Sequence, residues 1–400
     1  MPPAIAVAAT FVGFLGCLIG IRYAVPTEFG LGDFPIFWSA AVVVVNHGDP
    51  YDINQTSQLM EAPGFWNPPF TIPVYYGLGL VDVWLARWIW TGVNLGGALV
   101  AGIVFWREFG GSVAKVGVPL LISITFYGQH WNLLMAHVLG LELLGLAGFL
   151  YFVTRERPVP AGLCVSLTAF KPHLLLIFAL WLLLGATRRS GFIVVVSGGV
   201  VLLGGMGVAE LMAPGITARY LEAYQRPSAG KHHSMADLES GATGYRLRKL
   251  VSDIDNPATF WIQFVPLVLV AACSVFYWLA RRRNWDWRAE LPVAVWLSAL
   301  AAPYGLWACD QALLLIPVLQ ATVRLIHGKW FVRCGMCVLY TLLTLELHTT
   351  FRQTWQFGVI ALLVFCGYVI SMWCTRNVNL DSTTPLSPTV PSGPAASSAC

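Results

Sequence analysis

Residues 69–83 read PFTIPVYYGLGLVDV, and whether this stretch crosses a bilayer decides how the rest of the chain is threaded. It is shorter than the roughly 20 apolar residues that a membrane helix needs. It opens on Pro68 and Pro69 and is interrupted by Pro73, Gly77 and Gly79, all poor choices for the interior of a spanning helix. If it stays on one side, the turns holding Arg107 and Lys115, Arg155 and Arg157, Arg188 and Arg189, Arg281, Arg282, Arg283 and Arg288, Arg324, Lys329 and Arg333, and Arg376 all face the same way. These are 14 of the 24 Lys and Arg residues, placed in short turns as the positive-inside rule expects of the cytoplasmic side. If the stretch crosses, several arginine turns are forced outside. The expectation is therefore about twelve spans with both termini inside, near 5–25, 84–106, 115–128, 131–153, 159–170, 173–187, 191–212, 259–280, 290–303, 307–326, 331–347 and 354–374. The short ones, which meet at Lys171-Pro172 and Pro303-Tyr304, read as helices that stop inside a cavity.

Composition sets the class. With 57% hydrophobic and 11% charged residues, the chain reads as an all-α polytopic membrane protein rather than as soluble domains. A net charge of +4, scattered over turns, excludes a nucleic-acid partner. Cys17, Cys164, Cys273, Cys366 and Cys374 lie in apolar stretches. Cys334 and Cys337 form a CxxC without a second ligand pair, so neither a disulfide framework nor a metal or other cofactor is expected. Residues 1–376 read as a single transmembrane domain with a first outer loop over 26–83 and a long outer loop over 213–258. The tail 377–400, rich in Ser, Thr and Pro, reads as a disordered cytoplasmic end. The tryptophans at 84, 88, 90, 106, 285, 287 and 330 read as interfacial belts.

This threading collects the polar clusters on the outer face. They are the loop from Pro26 to Pro68, with five acidic residues and no Lys or Arg; Gly128 to Asn132; Lys171-Pro172-His173; the loop 213–258; Pro303 to Gln311; and Glu346 to Arg352. Non-helical backbone and ionisable groups at membrane depth are costly unless they line a wet cavity, so their convergence predicts a site there.

Four of these blocks carry a resemblance. GDFPIFWSAAVVVVNHGDPYD (Gly32–Asp52) followed by WNPPF (Trp66–Phe70), GQHWNLL (Gly128–Leu134), FKPHLLL (Phe170–Leu176) and APYGLWACDQALLLIPVL (Ala302–Leu319) resemble, in order, the polyprenyl-phosphate-sugar-dependent glycosyltransferases of family 87. That family includes mycobacterial phosphatidylinositol-mannoside α-1,2-mannosyltransferases. The resemblance implies the C-type multi-pass fold, whose first extracytoplasmic loop carries short helices. It also implies transfer of a sugar, by family weight mannose, from a polyprenyl-phosphate donor to a glycolipid or glycan hydroxyl outside the cytoplasm, with membrane lipids around the protein. Where many relatives read Ser-Pro-x-Ser-Trp-x-His, this chain reads Pro-Tyr-Gly-Leu-Trp-Ala-Cys-Asp-Gln, so no histidine role carries over to Cys309–Gln311.

An inverting displacement at the anomeric carbon needs one carboxylate to take the acceptor proton and cations to hold the leaving phosphate. Asp33, beside Phe34, Phe37 and Trp38, is the candidate base, with Trp38 a platform for the sugar ring. The structural alternative is that Asp33 caps the helix beginning near Pro35. Asp49 and Asp52 frame a Gly48-Pro50 turn and are better read as turn formers. Lys171 and His173 are candidates for the donor phosphate or sugar, against snorkelling of the lysine. Gln129, His130 and Asn132 form a polar kink whose amides could meet an anion, or a plain turn. Lys231, Arg246 and Arg248 lie in the loop 213–258, suited to closing over a lipid phosphate or to lying on anionic headgroups. Asp310, Tyr304, Trp307 and His348 are expected on the acceptor side or in support. Asp310 needs a partner, for which Arg22, Arg352 and His348 are the candidates. The competing class is a lipid-linked sugar transporter or flippase, which would share the broken helices. It would also need access from both sides and a half-chain repeat, and no repeat is visible.

Overall fold

The computed structural model describes residues 33–60, 64–185, 187–225, 242–252, 257–326 and 366–370. Every regular element among them is helical. The expected span near 5–25, that near 331–347, most of that near 354–374, the tail, and the candidates Lys231 and His348 lie outside the described residues.

The deciding segment folds as three successive short helical turns, Pro69–Thr71, Ile72–Tyr75 and Tyr76–Leu80. Each restarts at a proline or runs through glycine, so no single helix long enough to cross is formed. It packs beside α1 (Phe34–Val45). At Gly79 a Cβ would strike the Ala41–Val42 backbone, and the Trp38 indole N–H donates to the Val81 carbonyl at 3.0 Å. The next helix, α2 (Ile53–Leu59), is capped by Asp52, whose carboxylate accepts from the Asn54 amide at 3.0 Å. Asp49 accepts from the Tyr51 amide at 3.0 Å, the turn geometry the sequence predicts for this pair.

Long helices carry the frame. α3 (Val83–Glu108) starts on Asp82, which accepts from the Trp84 and Leu85 amides. There follow α4 (Gly117–Thr125), α5 (Tyr127–Leu134), α6 (Leu139–Val153), α7 (Pro158–Val165, continued by a 3-10 turn over Ser166–Phe170), α8 (Leu176–Gly185), α9 (Arg189–Met212), α10 (Ile216–Gln225), α11 (Thr243–Val251), α12 (Val265–Arg281), α13 (Trp287–Ala301) and α14 (Leu315–Ile326). By length and apolarity, three helices among the described residues are able to cross a bilayer unaided: Val83–Glu108, Arg189–Met212 and Ala258–Asn284. The others are cut short by breaks such as Met135–Val138, Lys171 and Pro303–Trp307.

What the long helices show outward identifies their solvent. On α9, Val200, Leu203 and Leu211 are exposed, Leu211 by 84%. On α12, Val268, Leu269 and Phe276 are exposed in the same way. A surface so continuously apolar suits lipid. Among the expected interfacial tryptophans, Trp84 and Trp88 are exposed, whereas Trp90 and Trp106 are buried in the helical packing. Trp106 donates to the Ser112 carbonyl at 3.0 Å and closes the turn after α3, so an internal partner overrides an interfacial position.

The helices run between two chemically different ends. At one, the turn after α6 and the start of α13 meet the end of α3. Arg155 lies 2.7 Å and Arg288 3.2 Å from the Glu108 carboxylate, and Arg281 lies 2.9 Å from Glu290. At the other end lie Asp33, the break before α6, Lys171, and the loop after α13.

Candidate active site

The site is assembled at interruptions in helices. Between α5 and α6 the chain turns through Ala136, whose φ is 47°, a left-handed conformation unfavourable for a residue with a side chain. The turn presents His137. The start of α6 is buried, and its orphan amides find side-chain acceptors: Val138 N–H donates to His137 Nδ1 at 2.8 Å, Leu139 N–H to Asn132 Oδ1 at 3.1 Å, and Gly140 N–H to Asn94 Oδ1 at 3.1 Å. Asn132 is thereby engaged within the protein, as is its amide, which donates to Gln129 Oε1 at 3.3 Å. His130 is buried in the same helix. Gln129 is fully buried, and its Nε2 makes no hydrogen bond. The helical breaks thus fall at Phe126 and at 135–138, on either side of the kink that the sequence places at Gln129–Asn132, which is itself helical.

The first-loop carboxylate meets this turn. Asp33 N–H donates to the Met135 carbonyl at 3.1 Å, and Asp33 Oδ2 lies 3.7 Å from His137 Nε2. The side chain makes no capping hydrogen bond to α1, so the capping alternative does not describe it, and its Oδ2 is turned to His137. Because His137 Nδ1 already accepts from Val138, the neutral ring carries its proton on Nε2, towards Asp33. Asp33, His137 and Cys309 bring potential ligand atoms within 4.8 Å of one another. With Nε2 protonated, however, the ring has no lone pair to offer an ion there, and the geometry favours an oriented carboxylate over a chelate.

Asp33 keeps 44% of its side-chain surface open, although protein crowds it from several sides. That crowding pushes its pKa above the ordinary carboxylate range. The Lys171 charge pulls it down, and the Asp310 charge pushes it up. Open access through the unburied face moderates the upward push.

Opposite Asp33 is an ion pair that the sequence did not foresee. Lys171 Nζ lies 2.5 Å from Asp310 Oδ1. Among the described residues it is Lys171 that balances this fully buried carboxylate; the expected partners Arg22, Arg352 and His348 lie outside the described residues. The other Asp310 oxygen accepts from the Trp307 amide at 2.9 Å, which ties the Pro303–Asp310 loop together. That loop passes through Gly305 at φ 77° and Leu306 at φ 54°. Lys171 is itself set by Glu142, whose Oε1 accepts the Lys171 backbone N–H at 2.7 Å while Oε2, fully buried, has no hydrogen-bond partner. His173, one step on, stacks on Tyr304 with centroids 4.6 Å apart.

Asp33, Lys171, His173, Tyr304, Trp307 and Asp310, drawn from three distant blocks, therefore converge. Trp38, the expected sugar platform, has its indole N–H committed to the Val81 carbonyl. Arg246 and Arg248 sit on α11, whose start at Gly244 abuts Pro303. Arg248 is buried there, its Nε donating to Thr259 Oγ1 at 3.4 Å and its guanidinium lying over Phe260, so it docks α11 on the turn Pro257–Phe264. The residues that sequence reasoning left without a role are His137 and Glu142. Their signal was an ionisable side chain at a break in, or inside, an otherwise apolar helix.

No curated protein and no solved structure matches the chain. A family model does, over residues 65–303, and it takes in the Lys171, His137 and Glu142 positions of the site. On that match over more than half its length, the chain belongs to glycosyltransferase family 87.

Proposed function

We propose that this membrane glycosyltransferase inverts the anomeric centre of a polyprenyl-phosphate-linked sugar, by family weight mannose, as it transfers that sugar to a glycolipid or glycan hydroxyl on the extracytoplasmic face, with Asp33 as general base. One observation carries the reading: a carboxylate released from helix capping, half open, faces the Nε2 side of His137 within a cluster of buried polar groups. In the displacement, the acceptor oxygen forms a bond to the anomeric carbon, the bond from that carbon to the phosphate oxygen breaks, the hydroxyl proton passes to Asp33, and polyprenyl phosphate leaves. His137 orients the carboxylate through its Nε2–H. Lys171, neutralised by Asp310, acts as a fixed dipole rather than a free cation. The leaving phosphate's charge then falls to Arg246, Lys231 and the His173 side of the site. In this reading residues 1–376 form one catalytic domain, and the loops 26–83 and 213–258 flank its outer opening.

The test supplies the purified protein with radiolabelled polyprenyl-phosphate mannose and candidate acceptor lipids. Label should move to the acceptor, and Asp33→Asn should lower turnover by about 10²–10⁴-fold while donor binding persists. Wild-type turnover in that variant, or counterflow of donor in sealed vesicles without transfer, overturns the reading.

A further inference from the structure

One cavity lies away from Asp33, at the end of the helices where Glu108, Arg155 and Arg288 meet. It encloses about 720 Å³ between the turns that follow α6, α8 and α12. Its rim carries Arg157, Arg188, Arg189 and Arg282. Its wall is apolar, with Phe149, Leu182, Val194, Trp278 and Trp287. Three other arginines at this end have carboxylate partners: Arg155 and Arg288 on Glu108, and Arg281 on Glu290. Among the described residues, none of the four rim arginines has one, although Glu156 also borders the space. Arg188 instead donates to the Arg282 carbonyl, which draws two of the rim segments together. The 24-residue helix α9 begins at this rim on Arg188, which makes no side-chain cap, and Ser190 and Gly191 of its first turn line the cavity. The first-turn amides therefore add partial positive charge.

Four guanidiniums that have no carboxylate partner among the described residues, set over an apolar wall, match one kind of ligand, an anion with a hydrocarbon body. The position narrows it further. Pro158–Phe170 runs from this rim to Lys171, about 20 Å of helix, so the cavity opens at the opposite end of the bundle from Asp33. Headgroup phosphates lie at the ends of crossing helices. We infer that this cavity binds an anionic glycerophospholipid of the leaflet on the arginine side, with the phosphate held by Arg157, Arg189 and Arg282 and the upper acyl chains against Phe149, Leu182 and Trp278. Guanidinium forks bind phosphate with charge-assisted hydrogen bonds.

Native mass spectrometry of the full chain in detergent, with phosphatidylglycerol or phosphatidylcholine of matched acyl chains or with inorganic phosphate, tests this. Phosphatidylglycerol should be retained in preference to phosphatidylcholine, and inorganic phosphate should not displace it. The triple variant R157Q/R189Q/R282Q should lose retention about tenfold or more with unchanged melting temperature. Should that variant fold poorly, Ser190→Trp, which fills the cavity and keeps the arginines, should lose retention likewise. Equal retention of the two lipids, retention unchanged in a folded variant, or binding of inorganic phosphate without phosphatidylglycerol overturns the proposal.

Discussion

Asp33 and Lys171 show how much of a residue's chemistry is conferred by neighbours. A base must be ionised to act, and crowding raises the Asp33 pKa. Transfer should therefore fail on acidification at a pH above the ordinary carboxylate range, the rate rising with pH through that midpoint. Lys171 lowers the Asp33 pKa, so Lys171→Met should move the midpoint of the pH–rate profile to higher pH, and an unmoved midpoint would contradict the coupling. Stability should follow a different pattern. Asp310→Asn strands a buried ammonium and should cost about 3–5 kcal/mol, whereas the double variant K171M/D310L, which removes both charges, should recover most of it. Thermal unfolding in detergent distinguishes these outcomes. The sequence marked Lys171 and Asp310 as polar exceptions in apolar runs. It offered no means of pairing them, because 139 residues separate the two.

At the scale of elements, the turn into α6 is where local rules and tertiary demands meet. Its buried amides are satisfied by His137, Asn132 and Asn94, and the third of these comes from the middle of α3. The approach is close: a Cβ on Gly140 would collide with the Asn94 carbonyl. Gly140→Ala should push α3 and α6 apart, break the Asn94 cap and destabilise the protein by about 1–3 kcal/mol, read as a lower melting temperature. Because the same turn holds His137 against Asp33, turnover should fall in parallel. The prolines and glycines of 69–80 made that segment's refusal to form a long helix legible from composition. The exact break at 135–138 was not, since Gln129–Asn132 looks more polar than Met135–Val138 and only packing selects between them.

For the whole molecule, the two ends make a labelling prediction. Single cysteines introduced at the exposed Gln58 near the Asp33 end and at Glu156 at the arginine end should react with a membrane-impermeant maleimide from opposite sides of intact vesicles, and labelling of both from one side would remove the proposed topology. By itself, the sequence determined the helical membrane class, the clustering of arginine turns, the break-up of residues 69–80 and the polar blocks from which the candidate site is drawn. All of these follow from local composition, periodicity and Pro or Gly placement, which act within a few residues. Only the tertiary structure decided that Asp33 escapes capping and faces His137, that Lys171 answers Asp310, that Glu142 holds the lysine backbone, and that Trp90 and Trp106 belong to the interior. Those are outcomes of long-range packing in a low-dielectric interior, where each buried polar group must find whichever partner the crossing helices bring within reach.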